Sequence, residues 1–146
     1  MNSFLPWPDY HRSAQSLDLR RLGKQRVEVL QMLKAINGET KGWVNHPCTI
    51  MWEDYPGALV VYGVAICDQW TSLGFDDTCK DQILQYADSA TSSYPWWFGD
   101  DYLHQTHRAM LYYKDSVAYA SFDGTFAKNI FDYWWPTPEE RKLMGK

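Results

Sequence analysis

The sequence predicts an all-α fold in a single domain, on three observations. Two long segments carry apolar residues at helical spacing, 19–36 and 57–73. No segment alternates apolar and polar residues in the manner of a half-buried strand. The 146 residues show no internal repeat and no second domain, and are enough for one core.

Taken in order, Pro6 and Pro8 keep the first ten residues extended, so the chain starts as an arm lying across the body. The first helix begins at about Ser13 or Ser16, either of which can cap it, and stops at Asn37-Gly38. After a loop with Gly42, His46-Pro47-Cys48-Thr49-Ile50-Met51-Trp52 opens a short helix with Pro47 at its first position. Ala58, Leu59, Tyr62, Ala65, Ile66, Trp70 and Leu73 mark the second long helix, running from Gly57 to a stop at Gly74. Residues 76–87 suit another helix. Ser89 to Pro95 reads as a polar loop leading into Trp96-Trp97-Phe98, and a further helix runs from near Tyr102 to about Asp115. In the tail, Phe122, Phe126, Phe131, Tyr133, Trp134 and Trp135 stand among small residues, and Pro136 and Pro138 break it up.

Charge is unevenly spread along this chain of net charge −4. Residues 1–41 hold seven cations against four carboxylates, and the remainder holds seven against fourteen. Four of those cations, Arg20, Arg21, Lys24 and Arg26, fall within seven residues of the first helix. Such asymmetry steers an anionic, phosphate-bearing ligand to one face. On the helical wheel, Leu19, Leu22, Val29, Leu30, Leu33 and Ile36 form an apolar stripe with Arg26 near its middle. Burying a guanidinium is costly, so Arg26 is expected either to be tied to a core carboxylate or to reach a pocket for phosphate or a polar base. Arg21, Gln25 and Glu28 share a second face, and Arg20 with Lys24 forms an adjoining cationic edge. That set suits orienting a sugar or a water, and equally suits helix salt bridging.

Aromatic residues make up 16 % of the chain, more than one small core usually takes, which suits a stacking surface for bases or a partner. Cys48, Cys67 and Cys79 are odd in number and lack Cys-x-x-Cys spacing, so reduced, core-packed thiols of a cytoplasmic protein are expected. No apolar run approaches a membrane span, and the N-terminus lacks a signal-peptide shape. There is no Gly-rich phosphate loop, Gly-x-Ser-x-Gly elbow or His-Glu-x-x-His run, which argues against phosphoryl transfer and serine hydrolysis. His104 and His107 are three apart on a helix without matching ligands, so neither a metal nor another cofactor is expected. His107 and Arg108, with Lys114 further on, read as a phosphate clamp. His46, at a helix start, reads as an anion ligand.

With these motifs in hand, the chain resembles the pyrimidine-dimer DNA glycosylases of the phage endonuclease V type. It is most similar to a bacterial and phage branch that begins Met-Asn-x-Phe-Leu-Pro and carries Leu-Asp-x-Arg-Arg-Leu-Gly-Lys-Gln-Arg-Val-Glu. The likeness runs from Met1 to roughly Asp123, is most specific in the first helix, and leaves the tail from about 124 without a counterpart. It implies a compact helical fold with the arm threaded between helices, and base excision followed by strand cleavage. The nucleophile it implies is the chain's own α-amine, whose reference pKa of about 7.7–8.0 leaves a useful neutral fraction at physiological pH. It further implies a helix-one glutamate, and arginines holding a kinked duplex with a base turned out. Superposing Arg21 and Arg26 on the family's two helix-one arginines puts Leu22 or Gly23 at the glutamate's position, with Glu28 and Asp18 each about a turn away.

The expected function is therefore a DNA glycosylase, with AP-lyase activity, excising a damaged or modified pyrimidine. Met1 supplies the amine, or Asn2 if Met1 is removed, and Glu28 or Gln25 positions the sugar or proton. Arg21 and Arg26 anchor phosphate and base, and Arg20, Lys24, His46, His107, Arg108 and Lys114 line the backbone path. Two alternatives stand beside it. In one the same pocket binds a nucleotide or nucleic-acid end without turnover, which the displaced glutamate favours. In the other the Trp-rich tail is a docking surface for a protein, and Arg26 serves only stability.

Overall fold

A computed structural model describes residues 1–87 and 93–145. Among the described residues the only regular secondary structure is helical: α1 (Tyr10–Ser16), α2 (Leu19–Ile36), α3 (Pro47–Trp52), α4 (Pro56–Ser72), α5 (Lys80–Leu84), α6 (Asp101–Lys114) and α7 (Pro138–Leu143), with a 3-10 turn at Ala120–Phe122. No helix among them is long and apolar enough to cross a membrane.

The predicted first helix is two helices. Asp9 caps α1 by accepting from Arg12 N at 2.7 Å, and Asp18 caps α2 by accepting from Arg21 N at 3.3 Å. Leu17 between them is extended and buried. Neither serine caps. Ser13 turns inward instead, and its hydroxyl donates to Trp7 O and accepts from Trp7 N. The helix sought over 76–87 is shortened for a similar reason. Asp77 accepts from Cys79 N at 3.0 Å and Lys80 N at 2.9 Å, so regular helix starts only at Lys80. Of the polar loop sought over 89–95, positions 89–92 lie outside the described residues. In the tail, Pro138 starts a helix rather than breaking one, because Thr137 caps it by accepting from Glu140 N at 3.2 Å.

The core forms where α2 crosses α4. Leu22, Val29, Met32 and Leu33 pack with Leu59, Tyr62 and Ile66, all buried. A Cβ on Gly63 would stand 2.6 Å from Val29, so the close approach of these helices requires a glycine there. Trp52 and Trp97 meet at right angles beneath it, with ring centroids 4.9 Å apart. The three cysteines are free and buried. The tail packs on its own chain: Tyr133 lies against His107, Trp135 against His46, and Trp134 Nε1 donates to Glu140 at 2.8 Å.

The arm is the feature that organises the molecule. Residues 2–5 are buried without helix or strand, so their backbone groups need side-chain partners. From α2, Gln25 Oε1 accepts from Phe4 N at 2.9 Å and Gln25 Nε2 donates to Asn2 O at 2.6 Å. From α4, the Tyr62 hydroxyl donates to Phe4 O at 2.7 Å. From α6, His107 Nδ1 accepts from Leu5 N at 3.0 Å, and Arg108 Nη1 donates to Pro6 O at 2.8 Å. His104 Nε2 accepts from Gly99 N at 3.0 Å, so its Nδ1 carries the proton and donates to Leu5 O at 2.7 Å. Ser3 Oγ takes the Trp52 indole N–H at 2.8 Å. Four helices, α2, α3, α4 and α6, thus hold the extended arm through side chains.

Acid should undo this clasp. Burial, then the charges of His104 and Lys114, depress the His107 pKa from 6.5 to about 3. Below pH 6.5 the unfolded imidazole binds a proton that the folded one refuses, so stability is lost as pH falls through that window. The slope is about 1.4 kcal/mol per pH unit for one such group. Urea midpoints measured from pH 7 to 4 should fall, and His107→Asn should shed one proton's worth of that slope. Equal slopes in both proteins would count against this account.

Candidate active site

The first turns of α2, the end of α6 and the tip of the arm enclose a cleft of about 510 Å3. Met1, Asn2, Phe4, Asp18, Arg20, Arg21, Lys24, Glu28, Lys114 and Asp115 line it. Counting the N-terminal amine, five cations face three carboxylates there, so the cleft attracts anions although the chain as a whole is acidic.

At its base the arm delivers the chain's first nitrogen to a carboxylate. Met1 N lies 3.2 Å from Glu28 Oε2, and Asn2 N donates to the same oxygen at 2.8 Å. Glu28 is buried, and its place on α2 follows from the wheel: it stands one turn beyond Gln25, whose amide holds the next stretch of arm. Leu22 and Gly23, where superposing Arg21 and Arg26 sought a carboxylate, bear none, and the carboxylate that meets the amine is that of Glu28.

Arg26 does not enter the cleft. Its Nη1 pairs with Asp77 at 2.5 Å, its Nε donates to Gly23 O, and its guanidinium lies 4.5 Å from the Trp70 ring. The Asp77 side chain is 3 % exposed, so this is a buried pair tying α2 to the turn before α5. Burial pushes the Asp77 carboxyl up, but the Arg26 hydrogen bond and the two backbone donors outweigh it and lower its pKa. The phosphate clamp sought at His107 and Arg108 is likewise corrected. Both are buried and hold the arm, with Arg108 also donating to Thr125 O. Gln25 is spent on the arm in the same way and does not orient a ligand. His46 caps α3, its Nδ1 accepting from Cys48 N at 3.0 Å, and burial, then the amine's charge, lower its pKa. It does not line the cleft.

Arg21, Arg20, Lys24 and Lys114 do meet at the cleft. Arg21 Nη1 is braced by Asp18 at 3.1 Å, while Arg20 and Lys24 form no ion pair among the described residues. Burial, then the like charge of Arg21, depress the Lys114 pKa, with Lys24 adding and Glu28 opposing. Asp115 and Tyr119 were not anticipated. The Tyr119 hydroxyl donates to Asp18, which itself accepts Arg21, so a residue far along the chain sets the angle of a cleft cation. Only tertiary contact reveals that.

A primary amine beside a carboxylate, open to a cationic cleft, suits attack on an electrophilic carbon next to phosphates. The division of labour among the arginines and lysines is testable. Arg26→Ala should cost about 3 kcal/mol of stability by stranding Asp77 and leave the salt dependence of polyanion binding unchanged. Lys24→Ala should barely alter stability and reduce the slope of log K against log salt by about 1. Salt titrations and thermal melts of the two variants separate these roles.

A family model described as pyrimidine dimer DNA glycosylase matches residues 1–83. That span covers the arm, α1 to α4 and most of α5, and so every cleft residue except Lys114 and Asp115. It stops short of residue 123, to which the likeness in the sequence extends. No curated protein and no solved structure matches the chain.

Proposed function

As this chain belongs to the pyrimidine dimer DNA glycosylase family, we propose that it excises a damaged or modified pyrimidine from DNA through an imine on the amine of Met1. Glycosylase action on pyrimidine dimers is the family's activity; the amine, the imine and strand cleavage are our reading of this cleft. The observation that carries it is Met1 N at 3.2 Å from buried Glu28 inside a cationic cleft.

In this reading Glu28 accepts a proton from the amine and holds its nitrogen towards C1′ of the sugar. The nitrogen bonds to C1′ as the glycosidic bond breaks; the base leaves with that bond's electron pair and takes a proton from the new ammonium nitrogen, whose lone pair is thereby freed. Ring opening then moves the C1′–O4′ pair onto O4′, which takes the proton from Glu28, and leaves an imine. Loss of a C2′ proton expels the 3′ phosphate by β-elimination, and hydrolysis of the imine restores the amine. Arg20, Arg21, Lys24 and Lys114 take the flanking phosphates. Asn2 N shares the same oxygen at 2.8 Å, so removal of Met1 would still leave an amine against Glu28.

The binding-only alternative draws on the absence of a glutamate at the superposed position; Glu28 against the amine supports the catalytic reading over it. Borohydride trapping on a duplex with a dimer and one with an abasic site tests the reading. An adduct mapping to residue 1 or 2 supports it. No adduct from folded protein with an unblocked N-terminus overturns it.

A further inference from the structure

A row of four rings leaves the cleft at Lys114. Lys114, in the cleft wall, sits 5.6 Å over Tyr133. Tyr133 tilts against Trp135 at 5.1 Å, Trp135 meets His46 at a right angle at 5.9 Å, and His46 meets Trp43 at 5.8 Å. The first three rings are half-buried and brace one another; the last, on Trp43, is 47 % exposed. Trp43 is also the sole non-glycine residue with positive φ among the described residues, at 68°. A bulky side chain rarely accepts that conformation. Here it follows Gly42 and is closed by His46 N donating to Trp43 O at 3.1 Å, so the turn projects the indole into solvent beside a rigid support.

We infer that Trp43 is a stacking residue for duplex DNA, its indole packing on the base left without a neighbour when the target nucleotide turns out into the cleft. A cationic cleft continued by a row of rings is the combination that tracks a nucleic-acid strand. The occupant follows from that pairing: Arg20, Lys24 and Lys114 fit the phosphates, and the exposed indole at the row's outer end fits a base face. A turned-out nucleotide leaves such a face bare, and covering it favours extrusion. The inference rests on the cleft being the repair site.

The test uses a duplex with an abasic site beside a 2-aminopurine, the same abasic strand alone, and the full chain as wild type, Trp43→Ala, Trp43→Phe and Trp43→Gly. Trp43→Ala should weaken duplex binding about tenfold to a hundredfold and lose the 2-aminopurine quench, with Phe restoring most of both. Adduct formation at Met1 on the single strand should be unchanged. Trp43→Gly relieves the backbone, so it should melt no lower than wild type yet bind duplex as poorly as the alanine variant. A structural role would instead make binding follow stability. Wild-type duplex binding by Trp43→Ala, or an equal loss on the single strand, overturns the inference. Absence of adducts with wild type itself points to the amine chemistry, because the quench still reports on Trp43.

Discussion

Glu28→Gln should abolish imine trapping while sparing the fold and the affinity for DNA. The variant keeps an oxygen that can accept from Asn2 N, which lies 2.8 Å from the carboxylate in the wild type. It loses the charge that faces the Met1 amine at 3.2 Å and the capacity to move a proton. Removing a general acid–base group typically costs about 10²–10⁴ in rate. The stability cost should be about 1–3 kcal/mol, that of weakening a buried hydrogen-bonded charge. DNA affinity should stay equal or rise, because the cleft gains positive charge. Single-turnover excision, trapping and melting on one preparation read all three. Gln25→Ala provides the contrast: it releases Phe4 N and Asn2 O together, so activity and stability should fall in step. Trapping by Glu28→Gln at the wild-type rate would reduce Glu28 to an anchor for the arm.

Placing Gly-Ser ahead of Met1 should be as damaging, by a different route. The nitrogen opposite Glu28 becomes an amide, and the new amine stands about 7 Å of chain away. A displacement of about 1 Å already costs about 10² in such reactions, so adducts at the N-terminus should vanish. The folded chain should still bind DNA, because Arg20, Lys24 and Lys114 are untouched. The variant also exposes the rival nucleophile. Lys114 lines the same cleft, and burial with the like charge of Arg21 lowers its pKa. An undiminished adduct mapped to Lys114 would transfer the chemistry from the α-amine to a side chain.

Some of this was legible before any contact was known. The repeat from Ala58 to Leu73 and the His46-Pro47 start define α4 and α3, because helical periodicity and a proline at a first turn are local signals. The prolines at 6 and 8 likewise announce the extended arm. The split at Leu17 was hidden, since serines and aspartates both cap, and only burial of Ser13 against Trp7 decides between them.

The roles of the charged residues divide along the same line. By itself the sequence determined the helical class, the arm, and the helix that concentrates positive charge, all of them properties of spacing and composition. Which cations stay open to a ligand was decided by partners far along the chain. Arg26 meets Asp77, Arg108 meets Pro6, and Glu28 meets Met1, at separations of 51, 102 and 27 residues. A wheel places a side chain on a face but says nothing of what the rest of the chain brings to it. Buried polar groups must find a partner, and that partner, set by tertiary packing, turns one arginine into a brace and leaves its neighbours at the cleft.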